Sequence, residues 1–287
     1  MEQPIASVII SVYNNFDRLR KVLVGLEMQT RQGFEIILSD DGSTEESVQQ
    51  MLSYAKDSKI PVQHIWQEDN GFRKTIVLNK SVQAAKSDYL IFLDADCVPH
   101  PKFVEEHLHH RKQNRVLSGL RVLLSEKLTN WLTLERIKNG VLSQNRFLAK
   151  IFIDSLGETR LPERAIYKPN FPFKNILKPK FKTLYGCNWS IYKKDLLDIN
   201  GFDERYLAPA VGEDTDPEFR LKFAGKELVS INYQAVQYHL YHKLLPRPQV
   251  NEELLKQVKE LGKPWTEYGI KQTEEAKAYL KTLSPTK

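Results

Sequence analysis

Two aspartates separated by one residue follow an apolar segment of the sequence. The segment Tyr89–Leu93 is apolar without alternation, as a strand covered on both faces must be, and Asp94 and Asp96 come directly after it. Carboxylates this close together repel one another unless a cation joins them. Two carboxylates that point the same way from the end of a buried strand suit a hard divalent cation, so we expect a metal site here.

A second pair of acids, Asp40 and Asp41, follows another apolar segment, Phe34–Ser39. Taken alone, this pair is more typical of a turn that leads into a helix. Ser43 and Glu46 have the spacing of a capping box, which predicts that a helix begins there. The position of the pair after a strand nevertheless leaves a ligand-binding function open.

A third pair of acids lies at the predicted start of a helix. Glu213 and Asp214 come shortly before Pro217, a residue favoured in the first turn of a helix. A helix N-terminus stabilises the ionised form of an acid. The alternative is that Asp214 and Asp216 only cap the helix.

Alternating strands and helices position these acids. Such alternation predicts a parallel sheet with helices on both faces, and ligands of such sheets bind at the carboxyl ends of the strands. The predicted strands are Ile5–Val12, Phe34–Ser39, Val62–Trp66 and Tyr89–Leu93. The predicted helices are Phe16–Met28, a helix from Ser43 through Ala55, Thr75–Ala85 and a helix that begins at Pro101.

The bulk composition indicates a globular protein with a sizeable core. The chain has 287 residues, of which 41% are hydrophobic and 27% are charged. Mean hydropathy is −0.45, and no apolar stretch approaches the ~20 residues that span a bilayer. The first strand begins almost at once, with no basic region before a long apolar run, so we expect no secretory signal and a cytoplasmic protein.

The cysteines and one histidine cluster are interpreted as structural. Cys97 and Cys187 are far apart in the sequence and form no C-x-x-C pattern, which argues against a disulfide framework or a zinc site. We expect both to be reduced and partly buried. The histidines at 107, 109 and 110 adjoin basic residues well past a strand end, so we interpret them as a solvated helix surface.

Positive charge is concentrated between Arg121 and Lys182. The net charge of the chain is +6, and this segment holds thirteen basic residues against five acids. With its aromatic residues, the segment suits an anionic membrane surface or a phosphorylated substrate. The alternative is a solvated, poorly packed insertion. No recognised nucleic-acid-binding motif accompanies the charge, so we do not expect nucleic acid as a partner.

The order of the motifs resembles glycosyltransferase family 2, whose members have the GT-A fold. Single motifs such as D-x-D are common by chance, but six in this order over roughly residues 5–242 are specific. The later segments are also similar to a galactosyltransferase-type C-terminal region. The matching segments are SVIISVYNN at 7–15, LSDDGS at 38–43, DNGF and LN within 69–79, AAKSDYLIFLDAD at 84–96, GCNWSIYKKDLLDINGFDE at 186–204 and GED at 212–214.

The resemblance implies an inverting transferase that moves a sugar from a nucleotide sugar, expected to be a UDP sugar, to a hydroxyl of a glycan or lipid-linked acceptor. It implies Mn²⁺ or Mg²⁺ held by Asp96, with Asp94 and His239 as further ligands and His242 as the second choice to His239. It also implies that Asp214 is the catalytic base, with Glu213 as the alternative.

Other residues are implied to bind the donor. Ser11 and Asp41 would hold the nucleotide base, and Asp94 would contact the ribose or the metal. Trp189 would either stack on a sugar or belong to the core. The implied donor-binding residues are Ser11, Tyr13, Asp41, Arg73, Lys74, Asn79, Asp94 and Trp189. Leu78 occupies a position where relatives often have an arginine, which leaves open whether Arg73 or Lys74 contacts the diphosphate. Acceptor recognition stays open as well, because 208–211 lack the tryptophan and glycine of many relatives.

The predicted fold is α/β: a single GT-A domain with a mostly parallel central sheet, helices on both faces and a helical C-terminal extension. We expect the domain to span 1–245, with a nucleotide-binding half at 1–115 and an acceptor and catalytic half at 116–245, and the extension to span 246–287. The expected location is the cytoplasm, with peripheral contact at the inner face of the membrane. The alternatives are a nucleotidyltransferase, although Tyr13 to Asn15 stand where its Gly-rich loop would be, and a nucleotide-sugar-binding protein without transferase activity.

Overall fold

The computed structural model describes residues 3–168, 183–243 and 249–283. Its strands are β1 Ser7–Val12, β2 Glu35–Asp40, β3 Val62–Trp66, β4 Tyr89–Asp94, β5 Cys97–Pro99, β6 Arg115–Ser118, β7 Val122–Leu123, β8 Asn188–Tyr192, β9 Glu227–Ser230 and β10 Gln237–His239. Its α-helices are α1 Phe16–Glu27, α2 Glu45–Asp57, α3 Lys74–Ala84, α4 Phe103–His110, α5 Glu126–Trp131, α6 Leu134–Lys138, α7 Asn145–Asp154, α8 Lys193–Leu197, α9 Thr215–Phe223, α10 Glu252–Leu261 and α11 Glu274–Thr282. Short 3₁₀ helices lie at Val141–Ser143, Pro162–Ala165 and Gln249–Asn251.

A central sheet of seven strands confirms the predicted fold class. The strand order is β3-β2-β1-β4-β8-β6-β9. Strand β1 pairs in parallel with β2 and β4, β2 with β3, and β6 with β9, whereas β8 is antiparallel to both of its neighbours. The four strands that the sequence predicted therefore form one parallel block, and their carboxyl ends share one edge.

Both faces of this block are covered. Along β1, Val8 and Ile10 belong to one hydrophobic cluster and Ile9 belongs to the other, as the alternation of side chains across a strand requires. The second cluster contains Trp189, whose ring stacks on Phe92 with centroids 4.1 Å apart, and only 1% of Trp189 is exposed. Of the two interpretations of Trp189, the structure supports the core residue.

A smaller sheet of three strands pairs β5, which directly follows the D-x-D segment, with β10 of the C-terminal half. Its order is β5-β10-β7, with β10 antiparallel to β5 and parallel to β7. In this register Cys97 lies opposite His239, so the residue after Asp96 is fixed beside a histidine that comes 142 positions later in the numbering (239 − 97). Local patterns in the sequence do not reveal such a pairing.

Two local predictions were wrong. Helix α2 begins at Glu45 with Thr44 as its N-cap, because the Ser43 hydroxyl instead accepts a hydrogen bond from the Asn14 amide at 2.7 Å. His107 is fully buried and not solvated, although its neighbour His109 is exposed. Helix α4 packs the face that carries His107 against β8 of the central sheet.

The buried His107 joins a polar network beneath the site. Its Nδ1 lies 2.7 Å from Ser190 Oγ and its Nε2 lies 3.1 Å from Asn188 Oδ1. Burial lowers the pKa of His107 to about 3, so the ring is neutral. The Asn188 amide also donates to the carbonyls of Leu120 and Ala235, which ties β8 to the segments that flank the small sheet.

The C-terminal helices pack against the loops that surround α9. The Asn251 side chain donates to the carbonyls of Ala208 and Val211, and the Thr266 hydroxyl donates to Asp203. At the end of the described chain, the Leu283 carbonyl accepts a hydrogen bond of 2.6 Å from the Arg73 guanidinium. None of the helices within the described ranges combines the length and apolar composition needed to cross a membrane.

Candidate active site

One lysine joins acids from two distant parts of the chain. The Nζ atom of Lys74 lies 3.2 Å from Asp94 Oδ1 and 3.3 Å from Glu213 Oε1. On the other side of Asp94, the Arg121 guanidinium lies 3.8 Å from Oδ2. Asp94 stands at the end of β4, and Glu213 belongs to the loop before α9. The acids of the D-x-D segment and those of the GED segment therefore face the same space.

Lys74 stays charged in this cluster. Burial alone lowers its pKa, but the charges of Asp94 and Glu213 outweigh burial and raise the pKa above its ordinary value. Lys74 is also the first residue of α3, where the helix dipole disfavours a cation. The neighbouring carboxylates offset that penalty, so the position of Lys74 is explained by the acids that it binds.

Asp96 meets both candidate histidines. Its Oδ2 lies 3.3 Å from His239 Nε2 and 3.1 Å from His242 Nε2, and the two ring nitrogens lie 3.3 Å apart. Although burial alone would raise it, hydrogen bonds from the two histidines hold the pKa of Asp96 well below its usual range. A hydrogen bond with Asp96 raises the pKa of His242.

Three donor atoms thus converge on one point. One atom from each of Asp96, His239 and His242 lies within 4.8 Å of the other two. Carboxylate oxygen and imidazole nitrogen are both common ligands of divalent metals in proteins. The donor set fits a divalent cation, and both histidines are placed to bind it.

Asp214 is the N-cap residue of α9. Its Oδ2 accepts a hydrogen bond of 3.0 Å from the Gly186 amide, and among the described residues its side chain makes no capping bond. Burial and then the charge of Glu213 raise the pKa of Asp214 to about 6. Asp216 is different, because it is fully buried and ion-paired with Arg220 of the same helix.

The expected base-binding residues line the same edge of the sheet. Ser11 lies beside Asp94 in the register of β1 and β4. The Asp41 carboxylate accepts hydrogen bonds from Gln67 Nε2 at 2.7 Å and from the Arg73 amide at 2.8 Å, and burial raises its pKa to about 6. Tyr13 is 55% exposed, which leaves its ring available to a ligand.

Two residues implied to bind the donor make internal contacts instead. The Asn79 side chain donates to the Phe202 carbonyl and to Glu204 and accepts from the Phe202 amide, and Asn79 is 1% exposed. The Arg73 guanidinium binds the Leu283 carbonyl, whereas the Lys74 ammonium contacts Asp94 and Glu213. The structure does not bring Asn79 to the cluster.

Arg121 and the two cysteines also lie at the candidate site, although the sequence analysis did not assign them to it. Arg121 was interpreted only as part of a basic segment, yet it closely follows β6, a strand of the central sheet. The two cysteines are far apart in the sequence, but Cys97, Cys187 and Asp94 each place one ligand atom within 4.8 Å of the others. Both thiols are free, and both are buried where partial burial was expected. Only the pairing of strands that are distant in the sequence could have revealed that the cysteines lie beside Asp94.

Comparison with known proteins places the chain in a family. The model of glycosyl transferase family 2 matches residues 7–197, which is more than half of the chain. Chondroitin synthase of Escherichia coli is 25% identical over 247 residues, covering 81% of this chain and 34% of that protein. The match spans between 10% and 35% of the length of the curated relatives.

Solved structures share the fold at low identity. Mannosyltransferase PcManGT from Pyrobaculum calidifontis, in complex with GDP-Man and Mn²⁺, superposes with a TM-score of 0.55 at 13% identity, covering 91% of this chain and 70% of that one. S. aureus TarS 1-349 in complex with UDP-GlcNAc gives a TM-score of 0.56 at 16% identity, covering 90% and 65%. The chain belongs to glycosyl transferase family 2 and has the GT-A fold that its motifs implied.

Proposed function

We propose that this chain transfers a sugar from a nucleotide sugar to a hydroxyl group, with inversion at the anomeric carbon. The observation that carries the proposal is the convergence of two different acidic sites at one sheet edge. Asp96 with two histidines supplies a cation site, and Asp214 supplies a base close to Lys74 and Asp94. A site that only binds a nucleotide sugar does not require that base.

Mn²⁺ is the metal that we propose, held by Asp96, His239 and His242. Imidazole ligands favour a transition metal over Mg²⁺, which prefers oxygen. When bound, such an ion stabilises negative charge on a departing diphosphate as a Lewis acid. The solved neighbour with GDP-Man also contains Mn²⁺, which supports this assignment.

Asp214 is the proposed general base. Its Oδ2 is engaged by the Gly186 amide, which leaves Oδ1 to accept the proton of the acceptor hydroxyl. A pKa of about 6 keeps the carboxylate ionised at neutral pH and brings its basicity closer to that pH. Attack by the activated hydroxyl on the face opposite the diphosphate inverts the anomeric centre.

Lys74 is the proposed diphosphate contact in place of the arginine that Leu78 replaces. Leu78 lies in the core with 3% exposure, and the Arg73 guanidinium is bound to Leu283. A lysine is a suitable point charge for phosphate.

The proposed donor is a UDP sugar, whose uracil N–H would donate a hydrogen bond to Asp41. The Asp41 carboxylate already accepts hydrogen bonds from Gln67 and from the Arg73 amide, but it retains further lone pairs that can accept another.

We also propose contact with an anionic membrane, where a lipid-linked acceptor would reside. The end of α7 and the turn after it expose Phe152, Ile153 and Leu156, of which Ile153 is 70% and Leu156 is 90% exposed. Arg146 and Lys150 lie on the same helix. Apolar side chains beside basic ones suit an anionic lipid surface, as in other interfacial helices. Part of the basic segment, 169–182, lies outside the described residues.

A donor screen tests the proposed function. The protein is mixed with several nucleotide sugars, with and without Mn²⁺, and both affinity and released nucleoside diphosphate are measured. Metal-dependent binding with slow donor hydrolysis supports a transferase. Binding without any turnover, even with candidate acceptors, would favour a binding protein. Formation of nucleoside triphosphate and sugar 1-phosphate when pyrophosphate is added would favour a nucleotidyltransferase.

A further inference from the structure

A second group of potential metal ligands lies beside the first and uses different chemistry. The Sγ atoms of Cys97 and Cys187 and a carboxylate oxygen of Asp94 all lie within 4.8 Å of one another. Cys97 begins β5, and Cys187 directly precedes β8, so rigid strands hold both thiols in place. Asp94 is accessible from the site, since 23% of its side chain is exposed.

The surroundings of the thiols suit a metal-bound thiolate. Gln237 is fully buried, and its Nε2 donates a hydrogen bond of 3.1 Å to Cys187 Sγ, so this sulfur acts as an acceptor. An amide donor to the sulfur is the kind of outer contact that orients and stabilises a metal-bound ligand. Within the described residues, the Oε1 atom of the same amide has no hydrogen-bond partner.

The charges also balance when a divalent cation is added. A cation of charge +2 with two thiolates and one carboxylate carries a net charge of −1. The Arg121 guanidinium, 3.8 Å from Asp94 Oδ2, supplies the opposite charge. A buried site whose total charge is neutral avoids the large penalty of an unpaired buried charge.

We infer that Asp94, Cys97 and Cys187 form a site for a thiophilic divalent cation of the Zn²⁺ class, which adjoins the Asp96 and histidine site through the hydrogen bond from Cys97 Sγ to Asp96. Thiolates with one carboxylate select such metals over Mg²⁺ and Mn²⁺, and each thiol releases its proton to the buffer when the metal binds. Occupation withdraws Asp94 from Lys74, so, given the proposed transferase function, a bound Zn²⁺ inhibits transfer.

Cd²⁺ serves as the probe, because thiolate coordination gives it a charge-transfer absorption in the ultraviolet. The full chain is kept reduced with a phosphine and titrated with Cd²⁺ without donor or acceptor. We expect a saturable absorption in the wild type and its loss in both Cys97→Ser and Cys187→Ser. His242→Ala is the matched control and should retain the absorption, because it removes a ligand of the neighbouring site, whereas Asp96 itself accepts a hydrogen bond of 3.2 Å from Cys97 Sγ.

Two outcomes would overturn the inference: no thiolate absorption in the wild type, or an absorption that survives in a single cysteine variant. Circular dichroism shows whether each variant is folded, and Asp94→Asn provides a variant in which both thiols remain and the Cd²⁺ affinity should fall. The titration needs no catalysis, so its result is independent of the proposed transferase function. In turnover assays, Zn²⁺ should inhibit the wild type more than Cys187→Ser.

Discussion

The Nζ atom of Lys74 lies 3.2 Å from Oδ1 of Asp94 at the end of β4. The same ammonium contacts Glu213, the neighbour of the proposed base, at 3.3 Å. One cation thus links the acid at the end of β4 to an acid in the loop before α9. Without a ligand, it is the group that holds these carboxylates together.

Replacing Lys74 with methionine tests this linkage. Lys74→Met leaves two partly buried carboxylates without their cation, and we expect a loss of roughly 3 kcal/mol in the free energy of unfolding. Donor affinity should fall as well, because the diphosphate loses a positive contact. Lys74→Arg keeps the charge and should retain most of both quantities. Urea unfolding and donor calorimetry measure them; equal behaviour of Met and Arg variants would refute an electrostatic role.

Metal-dependent donor binding should require Asp96. In Asp96→Ala we expect Mn²⁺ to stop enhancing the affinity for a nucleoside diphosphate, and His239→Ala and His242→Ala should each weaken the enhancement less severely. His109→Ala is the control, because that histidine is exposed on α4. Calorimetry with and without Mn²⁺ measures the difference. An unaltered Mn²⁺ effect in Asp96→Ala would remove the metal assignment.

Asp214→Asn should nearly abolish transfer. The amide keeps the size of the side chain but cannot accept a proton, and loss of general-base catalysis costs ~10²–10⁴ in rate. Donor and Mn²⁺ affinity should stay close to wild-type values. Turnover and donor affinity are measured on the same preparation, with Glu213→Gln alongside. Near-normal turnover in Asp214→Asn would transfer the role to Glu213.

The same substitution should stabilise the protein above pH 6. The pKa of Asp214 is about 6 in the folded state and 3.8 as its ordinary value. Ionisation therefore opposes folding; the penalty is absent below pH 3.8 and complete above pH 6. Asparagine avoids it, so at pH 8 we expect Asp214→Asn to gain roughly 1–3 kcal/mol.

This gain should disappear near pH 4, where the wild-type carboxyl is protonated. Chemical unfolding at the two pH values measures it, and Asp88→Asn, at an exposed position, is the control that should change little at either pH. A gain of equal size at pH 4 and pH 8 would show that ionisation of Asp214 is not the cause.

Membrane association should depend on the exposed end of α7. The double variant Ile153→Ser and Leu156→Ser removes two apolar side chains, each worth about 1.5–3 kcal/mol when fully buried, so binding to anionic vesicles should fall at least ~10-fold. Leu261→Ser makes the same kind of change on α10, where Leu261 is 64% exposed, and should have no effect. Sedimentation with anionic and with neutral vesicles measures the binding of the wild type, the double variant and the Leu261→Ser control. Binding that does not depend on lipid charge would contradict the proposal.

The strands and the acidic sheet edge could be predicted because their signals are local. The observed β3 has the predicted bounds, and β4 extends the predicted Tyr89–Leu93 by one residue, Asp94. An unbroken apolar run between turn residues is a property of adjacent positions, and the fold rule for parallel sheets then places the following acids together. This reasoning reaches Asp41, Asp94 and Asp96 without any coordinates.

Contacts between distant segments could not be predicted in this way. His107 was misread because its environment is set by β8, whose Ser190 is 83 residues away. The pairing of β5 with β10 decides that Cys97 faces His239, and nothing near either residue indicates it. For the same reason, the sequence left the choice between Arg73 and Lys74 open, since the partner of Arg73 lies at Leu283.

The hydrogen bond between Arg73 and Leu283 joins residues 210 positions apart. During synthesis the N-terminal part of a chain emerges and begins to fold first, so the guanidinium of Arg73 lacks this partner until Leu283 has been made. The N-terminal end of α3, which carries Lys74, therefore acquires its final set of contacts late. Competence to bind a donor would then arise only after Leu283 has been made. A shorter, unfinished chain would not yet bind its ligand.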